Sequence, residues 1–397
     1  MSRKKLAIIL GIRPDVIRAS LVLNQIRNRR DVDVTFIWSG QHYSDNLKDV
    51  FFRELGVAPP EVELNAGGTT DAEVVGSVVR NLHPVLEKLQ PEAAVFLGDT
   101  NTVMGCLAAA QLNIPIVHIE GCMRAYDWRM PEEKYRTTID HLSDVIYTYF
   151  DEYQRQGVAE GLNPRSIVVV QNLIVDVLRH YYFERKAKYD EIASPSFFRE
   201  RGIERGQYYL MTCHRRENVH DPVNLSNVVQ LLGKTDRKVF FTASYRTQKQ
   251  LELYGLKLPA NVIMVDPIGY DEMLVLMAHS RGVVTDSGTV VEETAVLQVP
   301  SLQMRRATER PQVYDCGSSV KFDPSAPDRY PFDVVFNKLE SLVGRSWEHR
   351  LGDGHASERI VEDLVSRALA SDGFRNHLPE RLHLDISRSY RDDGLAG

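Results

Sequence analysis

The sequence contains little cysteine. Only four cysteines occur among the 397 residues, at positions 106, 122, 213 and 316. None of them forms a Cys-x-x-Cys pair, so the sequence indicates neither a zinc knuckle nor a disulfide framework. Sparse, unpaired cysteines are typical of a reducing compartment, and we therefore expect a cytoplasmic protein. The spacing of His42 and His118 is not that of a metal site, and we predict no bound metal.

Long apolar runs and an excess of positive charge are also lacking. No stretch approaches the roughly 18 apolar residues of a membrane-spanning helix. The apolar run 6–10 near the N-terminus is too short for the core of a signal peptide and is interpreted as a first β-strand. The formal net charge of -6 argues against a general nucleic-acid or membrane surface. We therefore expect neither nucleic acid nor a membrane among the partners.

The chain does contain many short apolar runs, and segments with helical spacing separate most of them. The runs are 6–10, 34–38, 93–97, 114–119, 145–149 and 167–170 in the first half, and 208–211, 239–242, 262–265, 282–285 and 299–303 in the second. Buried strands that alternate with amphipathic helices predict parallel sheets with helices on both faces. We predict an α/β protein with two doubly wound, Rossmann-like domains, at 1–180 and 200–370, and a C-terminal helix at 375–397 that packs back on the first domain.

Polar residues cluster where these predicted strands end. The clusters are 11–14, 39–42, 98–101, 118–120, 213–218 and 286–288. In open α/β sheets, ligands bind at the carboxyl ends of the strands. Because both halves of the chain contribute clusters, we expect the functional site in the cleft between the two domains.

The stretch 285–293, Thr-Asp-Ser-Gly-Thr-Val-Val-Glu-Glu, predicts a strand, a small polar turn and a helix. A helix N-terminus presents unpaired N–H groups and a partial positive charge, which suit a phosphate. Ser287 and Gly288 are small enough for a phosphate to approach the backbone. Glu292 and Glu293 lie about one turn further on and are placed to accept hydrogen bonds from sugar hydroxyls. We interpret the stretch as the phosphate end of a nucleotide-sugar site.

Two loops carry an arginine that could serve the same ligand. Arg13 lies in the turn after the first strand, and its planar guanidinium could clamp a diphosphate. An exposed turn arginine is the alternative. In the second loop, Glu309 and Arg310 stand before a proline, which predicts a rigid loop near the cleft.

Carboxylates follow two neighbouring strands of the first half. Asp99 comes directly after one strand, where it is a candidate for catalysis or for an ordinary helix N-cap. Glu120 ends the next strand, and Glu132 and Glu133 follow a loop that is rich in Arg, Tyr and Trp. Crowded carboxylates raise one another's pKa, which makes an acid and a base from one residue type. Glu132 and Glu133 could instead be first-turn carboxylates that complement a helix dipole.

His214 lies in the loop Cys-His-Arg-Arg-Glu-Asn at 213–218. It is the best single candidate for proton transfer or for polarising a leaving phosphate. The alternative is a polar loop in which Asn218 is a capping residue. We interpret Cys213 as a buried thiol at a strand end and not as a nucleophile.

Taken together, these blocks resemble the UDP-N-acetylglucosamine 2-epimerase family. In chain order they are Gly-x-Arg-Pro from Gly11, Gly-Gln-His from Gly40, Gly-Asp-Thr-Asn from Gly98, His-x-Glu from His118, Pro-Glu-Glu from Pro131, His-Arg-Arg-Glu-Asn from His214, Asp-Ser-Gly from Asp286 with Glu-Glu at 292–293, and Thr-Glu-Arg-Pro from Thr308. The segments 65–69 and 124–133, together with Thr289, are similar to a branch that includes UDP-N-acetyl-L-fucosamine synthases and UDP-2,3-diacetamido-glucuronate 2-epimerases.

The resemblance implies a GT-B-like fold, a homodimer and a reaction without a cofactor. UDP would leave as the C2 proton is taken, giving a 2-acetamidoglycal, and would add back with a proton delivered to the other face. By the family's motifs, the catalytic residues would be Asp99, Glu120, Glu132 and His214. The residues that bind the UDP-2-acetamido sugar would be Arg13, Arg18, Gln41, Arg129, Arg215, Ser287, Gly288, Glu293 and Arg310.

Two other reactions stay open at this point. A hydrolysing 2-epimerase would release the free sugar and UDP, and a GT-B glycosyltransferase would share the fold and the diphosphate site. Arg18 stands where the family usually has lysine, and Ser-Tyr-Arg-Thr at 244–247 replaces the usual His-Pro-Arg-Thr. The conversion of UDP-GlcNAc to UDP-ManNAc and the epimerisation of a deoxy or diacetamido analogue are therefore both open.

Overall fold

Residues 3–40 and 52–377 are described by a computed structural model and build two parallel β-sheets with helices around them. The strands of the first sheet are β1 Lys4–Leu10, β2 Val32–Trp38, β3 Val62–Glu63, β4 Ala93–Leu97, β5 Ile116–Ile119, β6 Val145–Thr148 and β7 Ile167–Val169. Their order is β3-β2-β1-β4-β5-β6-β7. The order reverses between β1 and β4, which is where a doubly wound sheet opens a crevice for a ligand.

The second sheet repeats this arrangement. Its strands are β8 Tyr208–Thr212, β9 Lys238–Thr242, β10 Val262–Val265, β11 Gly282–Thr285, β12 Ser301–Met304 and β13 Ser319–Phe322. Their order is β10-β9-β8-β11-β12-β13, with a reversal between β8 and β11. All pairings in both sheets are parallel. The GT-B-like fold class predicted from the sequence is confirmed.

The strands form because their apolar runs are covered on both faces. In β1, the five residues from Leu6 to Leu10 are all buried, and Ala93–Leu97 is buried throughout. A parallel sheet with helices on both sides has no solvent-facing surface, so its strands read as continuous apolar stretches. The edge strands β3 and β13 lack this signature, which is why the sequence did not predict them.

Several of the helices begin at a side-chain cap. The long ones are α1 Arg13–Arg27, α2 Asp71–Leu89, α4 Pro131–Leu142, α5 Asp151–Ala159, α10 Pro222–Leu232, α11 Tyr245–Leu253, α12 Tyr270–Ala278, α13 Gly288–Val296, α15 Phe332–Leu342 and α16 Ala356–Leu369. The short ones are α3 Cys106–Gln111, α6 Leu173–Leu178, α7 Lys186–Ile192, α8 Pro195–Glu200, α9 Arg216–Val219 and α14 Gln312–Asp315. At α2, Thr70 and Glu73 form a capping box, which satisfies N–H groups that the first helical turn leaves unpaired.

Helix α16 follows the second sheet in sequence but packs against α1 and β1. Asp176 accepts hydrogen bonds from the N–H groups of Ala356 and Ser357, at 3.2 and 2.7 Å, and so caps its first turn. Further along, the Tyr147 hydroxyl donates to Oδ2 of Asp363 at 2.7 Å. The end of the described chain is therefore fastened to the first sheet.

Two predicted features lie outside the described residues. Gln41 is one of them, and the other is the greater part of the predicted helix 375–397. Within the described ranges 3–40 and 52–377, no helix is long and apolar enough to cross a membrane. The same residues contain no group of His, Cys, Asp and Glu side chains that could hold a metal ion.

Candidate active site

Two adjoining cavities open at the carboxyl ends of the strands. The first, of about 530 Å³, is lined by residues that follow β1, β2 and β4 and by Arg216 and Arg246 from the second half of the chain. The second, of about 560 Å³, is lined by the loop 127–132 and by segments that follow β8, β12 and β13. Glu132 contributes to the walls of both. The predicted cleft between the two sheets is thus present.

Glu120 directly follows β5, and its backbone has a φ of 74°, in the left-handed region that few non-glycine residues adopt. Its side chain is buried and accepts hydrogen bonds from Arg18, from Nη2 of Arg310 at 2.5 Å and from the Tyr149 hydroxyl at 3.0 Å. Burial alone would raise the pKa of Glu120, but the Arg18 and Arg310 guanidiniums outweigh it and hold the pKa below its usual value. Glu120 is therefore an ionised carboxylate inside the protein.

Arg18, on α1, donates to carboxylates through both of its terminal nitrogens. Beside its contact with Glu120, it donates through Nη2 to Oδ1 of Asp15 at 2.9 Å. Asp15 also accepts from the N–H groups of Gly11 and Ile12, at 3.3 and 3.2 Å. Burial raises the pKa of Asp15 to about 7 although Arg18 opposes the shift. Arg18 thus connects the turn after β1 to Glu120.

Asp99 follows β4 and is held by Arg136 of α4. Burial would raise the pKa of Asp99, but the Arg136 guanidinium outweighs it and keeps the pKa below its usual value. The Asp99 charge in turn acts on Glu120 and Glu132, where it raises the pKa of both carboxyls. The three carboxylates predicted from the sequence are therefore within electrostatic reach of one another.

Glu132 and Glu133 are neighbours in the first turn of α4 but have different surroundings. Glu133 is buried and accepts from the N–H groups of Ala125 and Tyr126, at 3.0 and 2.8 Å, and from Nη1 of Arg136 at 2.5 Å. Glu132 lies at the cavities, and burial raises its pKa even though Arg215 opposes the shift. Glu133 therefore fixes the loop 125–126, whereas Glu132 lies on the walls of both cavities.

His214 follows β8, and its loop is organised by Asp286 at the end of β11. Asp286 is fully buried and accepts from the backbone N–H groups of His214 and Arg215, at 3.0 and 2.9 Å, and from Nδ2 of Asn218 at 3.2 Å. Nδ1 of His214 lies 3.2 Å from Oδ1 of the same aspartate, while about half of the imidazole is exposed. Burial would raise the pKa of Asp286, but His214 and the two N–H groups keep it below its usual value.

Cys213 is buried at the end of β8, as the sequence predicted. Burial raises the pKa of its thiol well above the usual value. A thiol that stays protonated is a poor nucleophile, which agrees with the reading of Cys213 as a structural residue.

Helix α13 begins at Gly288, directly after the small polar turn that the sequence predicted. Ser287 is its N-cap, and its hydroxyl accepts from the N–H of Val290 at 3.4 Å. A Cβ atom on Gly288 would come within 2.4 Å of Nε of Arg310, so only glycine fits here. The helix therefore starts at the predicted phosphate turn, and its first residues pack closely against the 308–311 loop.

The second turn of α13 carries two buried carboxyls. Glu293 accepts from the Tyr270 hydroxyl at 2.8 Å, and Glu292 accepts from Nη1 of Arg310 at 2.8 Å and from Nδ2 of Asn172 at 2.7 Å. Burial raises the pKa of each glutamate to about 7. Hydrogen bonds from Tyr270 and Arg310 oppose these shifts.

The remaining predicted arginines have different locations. Arg13 donates through Nη2 to the backbone carbonyl of Ile268 at 2.9 Å and so connects the two halves of the chain. Arg215 donates through Nε to the carbonyl of Asp286 at 3.2 Å. Arg129 is exposed and forms a two-point pair with Asp127, at 2.7 and 2.5 Å, on the wall of the second cavity.

Several residues of the site were not singled out from the sequence. Arg136 and Tyr149 hold the carboxylates, and Asp71 forms an ion pair with Arg216 across the first cavity. Arg136 stands four positions after Glu132, which places both on one face of a helix. That spacing could have identified Arg136, whereas the contact between Asp71 and Arg216 joins residues too distant in sequence for any local pattern.

Three comparisons with known proteins agree with one another. The family model of the UDP-N-acetylglucosamine 2-epimerases matches residues 24–365. A UDP-N-acetylglucosamine 2-epimerase of Methanocaldococcus jannaschii is 33% identical over 372 residues, which are 91% of this chain and 99% of the relative. A UDP-2,3-diacetamido-2,3-dideoxy-D-glucuronate 2-epimerase of Pseudomonas aeruginosa is 31% identical over 380 residues, 91% of this chain and 99% of the relative.

A solved structure is similar over the same extent. It is the UDP-GlcNAc 2-epimerase of Methanocaldococcus jannaschii in complex with UDP-GlcNAc and UDP. Its TM-score is 0.83 at 31% sequence identity, and the match covers 91% of this chain and 99% of that one.

Proposed function

The chain belongs to the UDP-N-acetylglucosamine 2-epimerase family, and from that premise we propose that it is a non-hydrolysing 2-epimerase of a UDP-2-acetamido sugar. One observation carries the proposal. The start of α13, a helix N-terminus suited to a diphosphate, packs on Arg310, which also bonds Glu120. Within electrostatic reach lie two carboxylates whose pKa is lowered, Asp99 and Glu120, and one whose pKa is raised, Glu132. Such a site can break and remake a C1–O bond and exchange a proton at C2.

The diphosphate would bind at the start of α13. Its first N–H groups, at Gly288 and Thr289, and the helix dipole stabilise negative charge. We propose that Ser287, Arg13 and Arg215 complete this site and that His214 polarises the leaving oxygen. As the C1–O bond breaks, negative charge develops on the diphosphate, and preorganised donors aimed at it lower the barrier.

The carboxyls would divide the remaining work. The C2 proton is only weakly acidic, so C1–O cleavage leads and positive charge builds on the sugar ring. Asp99 and Glu120 are held ionised by arginines, and we propose that they stabilise this charge. Glu132, whose pKa is raised by burial, is the group best matched to proton transfer near neutral pH. The 2-acetamidoglycal then takes a proton on the other face of C2, and UDP adds back at C1.

Product analysis tests this proposal. Incubation of the protein with UDP-GlcNAc should give UDP-ManNAc, separable by chromatography, with no growth of free UDP. Free UDP together with free sugar would indicate the hydrolysing reaction. Transfer of the sugar to an added acceptor, with no C2 epimer formed, would indicate a glycosyltransferase.

The similarity to the Pseudomonas enzyme favours a second sugar class. Its coverage of this chain is equal to that of the Methanocaldococcus enzyme, 91% in each case. We therefore propose a substrate panel of UDP-GlcNAc, its 6-deoxy analogue and UDP-2,3-diacetamido-2,3-dideoxy-D-glucuronate. The substrate with the highest kcat/KM identifies the class.

We also propose that the protein is a cytoplasmic homodimer. Its domains would span residues 1–180 and 200–370. All four cysteines are free in the structure, which supports a reducing compartment. Helix α16 packs against α1 and so crosses the proposed division of the chain. Light scattering of the purified protein tests the dimer, because one chain has a mass of 45.2 kDa.

A further inference from the structure

Arg310 connects the proposed diphosphate helix to a carboxylate of the first sheet. Its side chain is 4% exposed. Nη1 donates to Oε1 of Glu292 at 2.8 Å, and Nη2 donates to Oε1 of Glu120 at 2.5 Å. Glu292 lies on α13, and Glu120 follows β5. The guanidinium therefore joins elements from the two halves of the chain in a region without solvent.

Glu292 is fixed from a second side. Nδ2 of Asn172 donates to Oε1 of Glu292 at 2.7 Å. Asn172 is the N-cap of α6, the helix that follows the last strand of the first sheet. A buried arginine that donates to two carboxylates is held in one orientation, because its planar fork has a fixed geometry. Both terminal nitrogens of Arg310 are thus committed to protein carboxylates.

We propose that Arg310 and Glu292 are positioning residues for Glu120. Arg310 would fix the orientation and the charge of the Glu120 carboxylate, and Glu292 would fix Arg310. These hydrogen bonds can form only when α13 and β5 are close together. Glu120 would therefore be oriented in the same arrangement that brings the diphosphate site to the sugar. The catalytic part of this inference rests on the proposed epimerase function.

The charges around Glu120 determine how far its pKa should change when the Arg310 charge is removed. Arg18 and Arg310 stabilise the ionised form, and Asp99 opposes them. The Tyr149 hydroxyl adds a neutral donor. An adjacent opposite charge lowers a carboxyl pKa by roughly 1–3 units. Removal of the Arg310 charge should therefore raise the Glu120 pKa by about this amount, because Asp99 remains and Arg18 is left alone.

The competing role for Arg310 is direct binding of the diphosphate. Arg310 lies close to the start of α13, because a Cβ placed on Gly288 would come within 2.4 Å of Nε of Arg310. It is therefore near the proposed diphosphate site. A diphosphate ligand lost with the arginine would weaken UDP binding by roughly 10–100-fold. A positioning residue would leave UDP affinity unchanged and alter the titration of Glu120. The two roles therefore differ in measurements that need no turnover.

The test uses Arg310→Gln, Arg310→Lys and Glu292→Gln in the full-length protein. The control is Arg281→Gln, which breaks a comparable pair with Glu340 just before β11, at the opposite end of the sheet. Infrared difference titration follows the carboxylate band, and the band of Glu120 is identified by its loss in Glu120→Gln. Calorimetry gives the UDP affinity of each variant.

We expect the Glu120 midpoint to rise by about 1–3 pH units in Arg310→Gln. In Glu292→Gln it should fall slightly, because a like charge near Glu120 is removed. UDP affinity should be unchanged in both variants. In the epimerase assay, kcat should fall without a change in KM, and in Arg310→Gln its acidic limb should move to higher pH. Arg310→Lys keeps a charge but loses the planar fork that fixes the orientation of both carboxylates. It should therefore lower kcat with a smaller shift of the midpoint.

If the Glu120 midpoint is unchanged in the arginine variants, the inference is overturned. If UDP affinity falls while the Glu120 midpoint stays unchanged, Arg310 is a diphosphate ligand. If Arg310→Gln does not fold, Arg310→Lys decides the matter by the same readouts, and kcat and UDP affinity of Glu292→Gln test the role of Glu292. A wild-type protein that epimerises none of the sugar nucleotides would refute the proposed function, while the titration would still confirm or refute the positioning role.

Discussion

The hydroxyl of Tyr270 donates a 2.8 Å hydrogen bond to Oε1 of Glu293, and both side chains are buried. Tyr270 is the first residue of α12, and Glu293 lies in the second turn of α13. Burial raises the pKa of Glu293 to about 7, and the tyrosine hydroxyl opposes this shift. Small changes around this pair should therefore decide whether Glu293 is ionised at neutral pH.

UDP binding should depend on the charge of Glu293. If the ionised carboxylate accepts from the ribose hydroxyls, UDP affinity rises between pH 6 and pH 8. Tyr270→Phe removes a donor that favours ionisation, so the pKa of Glu293 rises further. UDP affinity at pH 7 should fall by roughly 2–10-fold and recover at higher pH.

Calorimetric titration with UDP at several pH values measures this effect. Tyr189→Phe is the matched control, because that hydroxyl donates to Asp271, next to Tyr270, at 2.6 Å. A UDP affinity that does not vary with pH, in the wild type and in Tyr270→Phe alike, would remove Glu293 from the binding site.

The neighbours Glu132 and Glu133 should respond differently to the same substitution. Glu132→Gln should lower the rate of C2 proton exchange by about 10²–10⁴-fold and leave UDP binding and the melting temperature unchanged. Glu133→Gln keeps one acceptor oxygen for the two backbone N–H groups but removes the charge and the second oxygen, which accepts from Arg136. It should cost about 3–5 kcal/mol of unfolding free energy.

Exchange rates by NMR and denaturant unfolding compare the two variants directly. If Glu132→Gln kept the wild-type exchange rate, proton transfer would have to be assigned to another group. If Glu133→Gln were as stable as the wild type, its contacts with the loop 125–126 would be energetically neutral.

The ion pair between Asp71 and Arg216 should favour closure over the first cavity. Nη2 of Arg216 donates to Oδ1 of Asp71 at 2.6 Å, and both side chains are partly exposed. Arg216→Asp replaces attraction by repulsion and should raise KM by roughly 2–5-fold, as expected for an exposed pair. The effect should shrink at high salt.

The reversed pair, Arg216→Asp with Asp71→Arg, should restore KM in steady-state assays. Arg359→Asp is the control, since it breaks a pair with Asp353 outside both cavities. A double variant with the same KM as Arg216→Asp would show that Arg216 acts on the ligand and not through Asp71.

Asp286 should stabilise the fold in a pH-dependent manner. Its folded pKa is below its usual value, so its contribution is fully present above the unfolded pKa of about 3.9. The contribution is lost as the pH falls through the lower folded value. Asp286→Asn should therefore destabilise the protein at pH 7 and have a much smaller effect near pH 2.

Urea unfolding at the two pH values measures the difference. The expected loss at pH 7 is about 3–5 kcal/mol, because a buried charge network loses one partner. An equal loss at both pH values would mean that hydrogen-bond geometry, and not charge, accounts for the role of Asp286.

The central strands and the strand ends were predictable because burial on both faces leaves a continuous apolar signal. Ala93–Leu97 is such a run, and Asp99 follows it in the structure as in the sequence. β13 was not predicted, since Lys321 is partly exposed in a four-residue strand at the sheet edge. The edge strands β7 and β10 were predicted nonetheless, because each is an unbroken apolar run.

The partners of the proposed catalytic carboxylates could not be predicted from the sequence. Glu120 is stabilised by Arg18 and Arg310, which are 102 and 190 residues away along the chain. The Arg18 pair joins α1 to the end of β5, and the Arg310 pair forms only when the two halves of the chain meet. No local periodicity encodes either of them. The sequence motifs identified the groups that carry charge, while the fold determines which of them stays ionised.

The most direct test of the proposed 2-epimerase is an incubation with UDP-GlcNAc, or with another UDP-2-acetamido sugar of the panel, in D₂O. Elimination and re-addition should place deuterium at C2 of the sugar while UDP remains attached, and mass spectrometry and NMR detect both. Absence of deuterium at C2 with every sugar nucleotide, or its appearance only in free sugar alongside UDP, would contradict a non-hydrolysing 2-epimerase.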